Sequence, residues 1–237
     1  MTINGVNIGT YYGAKQHRMS VGHCDVKNNS AWISAALLPH FEPGYVGFKQ
    51  IDMEFIVKGA SRDAIIANRS KLLAALMSDA VIVPDNYPRK FRTVMKSHKE
   101  EEVSQKRWHK VTVALIGYEY GTEVTVTGTS SVSATNPGTI VSPALLQITP
   151  TANKSNVIIT GLCRNPRTGA DMPVTLGTVK DQKVIVLDGA NGLFTEDGAL
   201  KPDINIQYPP GVAPGLATVT CSDTSAALSL SILPLYM

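Results

Sequence analysis

Several side chains near the start of the chain are of types that bind metals or move protons: His17, His23, Cys24, Asp25 and His40. Their spacings match no zinc pattern, and His23 and Cys24, adjacent on an extended chain, point to opposite faces. No metal site is expected. The segment LDGANGLFTEDGALKPD carries the hard oxygen ligands Asp188, Asn191, Glu196, Asp197 and Asp203. It lacks the regular spacing and closing glutamate of a calcium loop, and its NG and DG pairs predict hairpin turns instead. Read as a glycosidase pair, the same carboxylates have no aromatic ring nearby to hold a sugar. All histidines precede residue 110, and no nucleophile elbow, phosphate loop, dinucleotide fingerprint or HExxH pair occurs. No catalytic residue and no cofactor is expected.

One charged stretch remains. Arg89, Lys90, Arg92 and Lys96 surround Phe91, the tip Glu100, Glu101 and Glu102 follows, and Lys106, Arg107 and Lys110 return. A basic run with an aromatic inside it suits nucleic acid, but opposite charges facing each other across a hairpin suit cross-strand pairs or a protein interface better. Arg89, Arg92, Lys96, Glu100, Glu101, Glu102, Lys106 and Arg107 are therefore the candidate subunit-interface residues.

The elements that would position them run from Val46 to Gly121. VGFKQIDMEFIV alternates, with Ile51, Met53, Phe55 and Val57 on one face and Gln50, Asp52 and Glu54 on the other. After Gly59, Ser61 offers an N-cap oxygen and Asp63 suits the first turn of a helix. Ile65, Ile66, Leu72, Leu73, Leu76 and Met77 give that helix, about 61–77, its apolar stripe. RKFRTVMKS and WHKVTVALIGYEYG predict two antiparallel strands, joined by a solvated loop over HKEEEVSQKR. In residues 1–45, edge strands and loops are expected; Ala31–Leu38 is short enough to be either helix or strand.

After Gly121, Val124 and Val126 finish a strand; the composition then turns to Ser, Thr, Ala, Asn, Pro and Gly, which predicts a linker and a domain boundary near Gly128–Pro137, giving domains 1–130 and 131–237. Short strands between turns follow, with Val184 and Val186 alternating with Ile185 and Leu187, and Leu228, Leu230 and Ile232 alternating with Ser229 and Ser231. This predicts a second β-sandwich, its last strand turning serines to solvent. The expected fold class is thus mainly β with one main helix.

Composition agrees with a globular chain: 237 residues, 43% hydrophobic, 17% charged, formal net charge +3. That charge is too weak to imply nucleic acid. No run is long enough to span a membrane, and MTINGVNIGTYYGAKQ does not have the pattern of a signal peptide. Cys24, Cys163 and Cys221 are odd in number and far apart, which suggests reduced thiols, with a Cys163–Cys221 bridge left open. Both tryptophans, Trp32 and Trp108, lie in the first half, and beyond residue 128 only Phe194, Tyr208 and Tyr236 are aromatic. A sugar platform in the second domain is therefore not expected.

The order of these features resembles the distal tail (Dit) family of long-tailed, non-contractile bacteriophages. The resemblance spans the chain: INGVNIGTYYGAK, FKQIDMEFIVKGASRDAIIANRSKLLAAL, RKFRTVMKS with KVTVALIGYEYG, then TNPGT, KVIVLDGANGLFTEDG and YPPGVAPGLATVTC. It implies a virion structural protein that is not an enzyme. Six copies would form a ring at the tail tip, first domains around a channel through which DNA passes, galectin-like second domains outward. Implied partners are further copies of itself, the tail tube protein, the tail-associated hub protein and receptor-binding parts. Unlike larger members, this chain has no long insertion carrying an arm or carbohydrate module. The competing expectations are a carbohydrate-binding module, a tail-tube or baseplate-hub subunit, and a glycan hydrolase of the tail tip.

Overall fold

The structure, a computed structural model, describes residues 1–31, 40–104 and 108–237, and for residues 25–31, 40–46 and 104 the backbone alone. The chain divides into two compact units, residues 1–120 with Met237, and residues 121–236.

In the first unit, β1 (Thr2–Ile3) and β2 (Val6–Asn7) lead into the short helix α1 (Ile8–Tyr12). Then come β3 (Ala14–Ala31), β4 (His40–Lys58), α2 (Arg62–Met77), β5 (Ala80–Val83), β6 (Lys90–Ser104) and β7 (Trp108–Tyr120). The strands form one antiparallel sheet in the order β2-β1-β5-β6-β7-β4-β3. The alternation read in β4 is what the sheet uses: Ile51, Met53, Phe55 and Val57 are fully buried, facing Val111, Val113 and Leu115 of β7 on the same side. α2 closes this core with Ile65, Leu72 and Leu76. Its start is as expected, Ser61 Oγ accepting from Ala64 N with Asp63 in the first turn. Ile66 and Met77, expected on the stripe, are exposed, so the buried face is narrower. Each large side chain fully buried there contributes roughly 1.5–3 kcal/mol.

The expected loop over HKEEEVSQKR is mostly strand. Glu100, Glu101 and Glu102 stand opposite Val111, Lys110 and His109, and pairing continues to Ser104 opposite Trp108. The ladder tolerates the acidic run because the pleat turns Glu101 to the face opposite Glu100 and Glu102, and the latter two meet Arg69 and Arg62. Ala31–Leu38, apart from Ala31 at the end of β3, falls outside the described residues, as do Lys106 and Arg107.

The second unit begins at Gly121, earlier than the expected boundary. The strand expected at Val124 and Val126 is β8 (Val124–Thr129), and the expected linker after it is a further strand, β9 (Ser131–Asn136), whose Val132 and Ala134 enter the core. Serine and threonine disguised an ordinary alternation of small apolar and hydroxylated residues, and threonine fits a half-buried strand well. β10 (Ser142–Thr149), β11 (Lys154–Arg164), β12 (Asp171–Val179), β13 (Ile185–Asp188), β14 (Leu193–Glu196) and β15 (Ala199–Leu200) follow. Next come β16 (Ile204–Asn205), β17 (Gly211–Val212), β18 (Gly215–Cys221), β19 (Ala227–Ile232) and the short β20 (Leu235–Tyr236). One sheet runs β15-β14-β13-β10-β19-β8, with β17 also on β10; the other runs β16-β12-β11-β18-β9. Leu146, Leu187 and Leu230 of the first meet Ile159, Leu176 and Val219 of the second in one core, a β-sandwich. Leu228, Leu230 and Ile232 are buried while Ser229 and Ser231 look outward, as expected.

Candidate functional site

The candidate residues separate into three places. At the far end of the β6–β7 hairpin the pleat divides the acidic run. Glu100 and Glu102 turn towards α2, where Arg69 Nη1 lies 2.8 Å from Glu100 and Arg62 Nη2 3.0 Å from Glu102. Beneath them His109, wholly buried, has Nδ1 3.5 Å from Arg69 Nη1 and Nε2 3.5 Å from Glu102 without a hydrogen bond. Glu101 points to the other face with Lys110, which pairs with Glu54 at 3.2 Å. Lys96 is exposed and has no ion-pair partner among the described residues.

In the middle, Arg92 clasps Asp79, its Nε lying 2.8 and 2.9 Å from the two carboxylate oxygens. This joins β6 to the turn between α2 and β5, and the hydrogen bond from Arg92 holds the Asp79 carboxyl below its ordinary range.

At the near end Arg89 joins a cluster that sequence reasoning missed. Glu119 is fully buried; Lys49 Nζ donates to its Oε2 at 2.5 Å, and Arg89 Nη1 and the Tyr87 hydroxyl donate to its Oε1 at 2.6 and 3.1 Å. Burial alone pushes the carboxyl up, but the hydrogen bonds from Lys49 and Arg89, the charge of Lys49 and the bond from Tyr87 together outweigh it. The group stays below the ordinary carboxylate range. A signal was available: Lys49 occurs in phase with Ile51, Met53 and Phe55, and Glu119 in phase with Val111, Val113 and Leu115, so both charges fall on the buried face. They floor a cleft of about 550 Å³ whose walls include Arg18, Met19 and His23 of β3.

The remaining candidates are scattered or paired with lysines. Cys24 is opposite Lys49 in the β3–β4 ladder, and His17 and His23 are exposed on the edge strand; Asp25 and His40 lie where only the backbone is described. Among the described residues no three acidic, histidine or cysteine side chains are grouped to hold a metal. Lysines occupy the C-terminal carboxylates: buried Lys201 lies 3.3 Å from Glu196 and 3.0 Å from Asp203, and Lys183 binds Asp197. Asp188 caps its own turn by accepting from Ala190 N and Asn191 N. Cys163 and Cys221 are free thiols, and the residue opposite Cys221 is Ile159.

No helix among the described residues is long and apolar enough to cross a membrane. The sequence matches no family model and no curated protein. Solved structures do match. The baseplate of phage P2 in its activated conformation with calcium aligns with TM-score 0.50 at 9% identity, covering 92% of this chain and 90% of that one. The Dit protein of phage SPP1, described as a paradigm of the hub adsorption apparatus of phages infecting Gram-positive bacteria, aligns with TM-score 0.73 at 13% identity. That alignment covers 99% of this chain and 98% of the other, so the chain has the fold of SPP1 Dit over its whole length.

Proposed function

We propose that this protein is a structural subunit of a siphophage tail tip, assembling as a hexameric ring that joins the tail tube to the hub protein and carries host-adsorption parts. The observation that supports this reading is the end-to-end correspondence with SPP1 Dit, both units included and without a long insertion in either chain. In this reading the first units line the channel for DNA, the second units, galectin-like, face outward, and the chain does no chemistry of its own. Ring closure needs a heterologous contact, one surface of a copy meeting a different surface of the next. The β6–β7 hairpin remains the proposed bridge, through its outward residues Lys96 and Glu101 and through Lys106 and Arg107, because Glu100 and Glu102 are already held by α2 of their own chain.

Light scattering across concentration, paired with antibody labelling of virions under the electron microscope, tests the proposal. A mass near six subunits and label at the distal end of the tail support it. Label on the head, or none on particles, overturns it.

A further inference from the structure

Two asparagine–glycine pairs occur in the chain, Asn4–Gly5 and Asn191–Gly192. In such a pair the backbone nitrogen of the glycine, with no β-carbon beside it, can attack the side-chain carbonyl carbon of the asparagine. Both pairs lie in exposed turns, and both glycines have positive φ and open space around them. Local sequence treats them alike; the fold does not. Asn4 joins β1 to β2 and is fastened to β5, its N donating to the Val81 carbonyl oxygen and its Oδ1 accepting from Val81 N, both at 2.8 Å. Ile3 is paired with Ile82 on that same strand, so Asn4 cannot turn without disturbing the sheet. Asn191 lies in the turn over residues 189–192, between β13 and β14. Its N and Nδ2 donate to the Asp188 carboxylate at 3.1 and 2.7 Å, bonds that hold the turn to its own beginning rather than to a distant strand. The turn is anchored to β10 before Asn191, where Gly189 N donates to the Ala144 carbonyl oxygen.

We propose that Asn191 is a site of spontaneous modification, converting through a succinimide to aspartate and isoaspartate in the folded protein, while the β5 contact protects Asn4. The Gly192 nitrogen forms a bond to Asn191 Cγ and gives its proton to water; the Cγ–Nδ2 bond breaks, and Nδ2 leaves as ammonia. Water then opens the ring at either of its carbonyls. The product carboxylate stands where an amide donated to Asp188, so two negative charges replace a hydrogen bond. Isoaspartate also lengthens the backbone of the turn by a methylene. The turn between β13 and β14 therefore loosens as the protein ages. This chemistry is independent of the tail-tip reading and goes beyond it.

Incubation of the whole protein in warm, mildly alkaline buffer, followed by peptide mass spectrometry, tests the site. The peptide containing Asn191 should gain the mass difference of oxygen for NH and separate into aspartate and isoaspartate forms, while the peptide containing Asn4 stays unchanged. In denaturant both should convert, because only the fold protects Asn4. Asn191→Gln, in which the attack would have to close a larger ring, should keep the fold and abolish the change at this position. Hydrogen exchange at residues 188–193 should rise in the aged protein and not in the aged Asn191→Gln variant. An Asn191 that survives the incubation, or an Asn4 that converts as fast as Asn191 in the folded protein, overturns the proposal. An Asn4 that also survives in denaturant overturns the protection by β5, and exchange unchanged after conversion overturns the loosening of the turn.

Discussion

Lys49 and Glu119, 70 residues apart in sequence, meet at 2.5 Å inside the first unit, where neither has appreciable contact with water. They lie at the end of the apolar core, where the β4–β7 ladder begins at Lys49 opposite Gly117. A buried ion pair stabilises little relative to apolar residues of the same shape, but removing one partner strands the other.

Lys49→Met should therefore destabilise the first unit by roughly 3–5 kcal/mol, since Glu119 would keep only Arg89 and Tyr87. The double variant Lys49→Met with Glu119→Leu should lose less than the sum of the single changes. Chemical denaturation of the four proteins measures this coupling, and strict additivity would contradict the geometry.

Stability should fall in acid. The folded-state carboxyls of Glu119 and Asp203 are held low, the first despite burial by Lys49, Arg89 and Tyr87, the second chiefly by hydrogen bonds from Thr178 and Lys201. A depressed folded pKa contributes stability that is fully present above the unfolded value, about 4 for these groups, and is lost as pH falls through the folded one. Denaturant midpoints should be flat from neutrality to about pH 5 and drop below about pH 4. Glu119→Gln should flatten part of that drop; an identical pH profile would show that the carboxyl is not linked to folding.

Cysteine reactivity should be low while the protein is folded. Burial pushes the Cys163 thiol up to about 12 and raises Cys221 as well. Because the thiolate is the reactive form, neither should react with Ellman's reagent at neutral pH until the second unit unfolds. Cys24, also raised but only half-buried, should be the one site modified slowly in the native protein. Rapid reaction of three thiols would argue that the sandwich core is open.

Gly117 is a position where only glycine fits. A Cβ there would lie 2.1 Å from the Arg92 carbonyl oxygen and 2.8 Å from the Thr93 Cα on the neighbouring strand. Gly117→Ala should force β6 and β7 apart and cost roughly 1–3 kcal/mol, the range for overpacking. Thermal unfolding checks this. Gly169→Ala is a poor control because its φ is +70°, so the comparison should use an exposed serine such as Ser70→Ala.

Reversing Glu100 and Glu102 to lysine should release the hairpin end from α2, with the exposed Arg62–Glu102 pair worth about 0.2–1 kcal/mol and the partly buried Arg69–Glu100 pair at least as much. Hydrogen exchange should rise at residues 98–104, and Arg69→Glu should partly restore protection to Glu100→Lys. Exchange unchanged by the reversal would mean the ion pairs do not fasten the hairpin.

Most of the local architecture was legible in the residues. The period of two in β4, the Ser61 cap with its apolar stripe, and the serine–leucine alternation of β19 each follow from steric and solvation rules that act within one element. The linker reading failed because serine and threonine are common in both loops and strands, and what makes β9 a strand is its partner β18, more than 80 residues away. The same holds for the acidic run. Its sequence fixed that three carboxylates stand together, but whether they form a patch depended on the phase of the pleat and on which strand and helix lay behind each face.

What the chain determined by itself is most of the elements, most of their buried faces and the absence of the familiar catalytic motifs. Tertiary structure decided which charges meet: Lys49 with Glu119, Arg69 with Glu100, and Lys201 with Glu196 and Asp203. The physical reason is range. Alternation and capping act over a few residues, whereas a buried carboxylate takes whichever cation the register of distant strands brings within hydrogen-bond reach, and nothing in the local sequence encodes that distance.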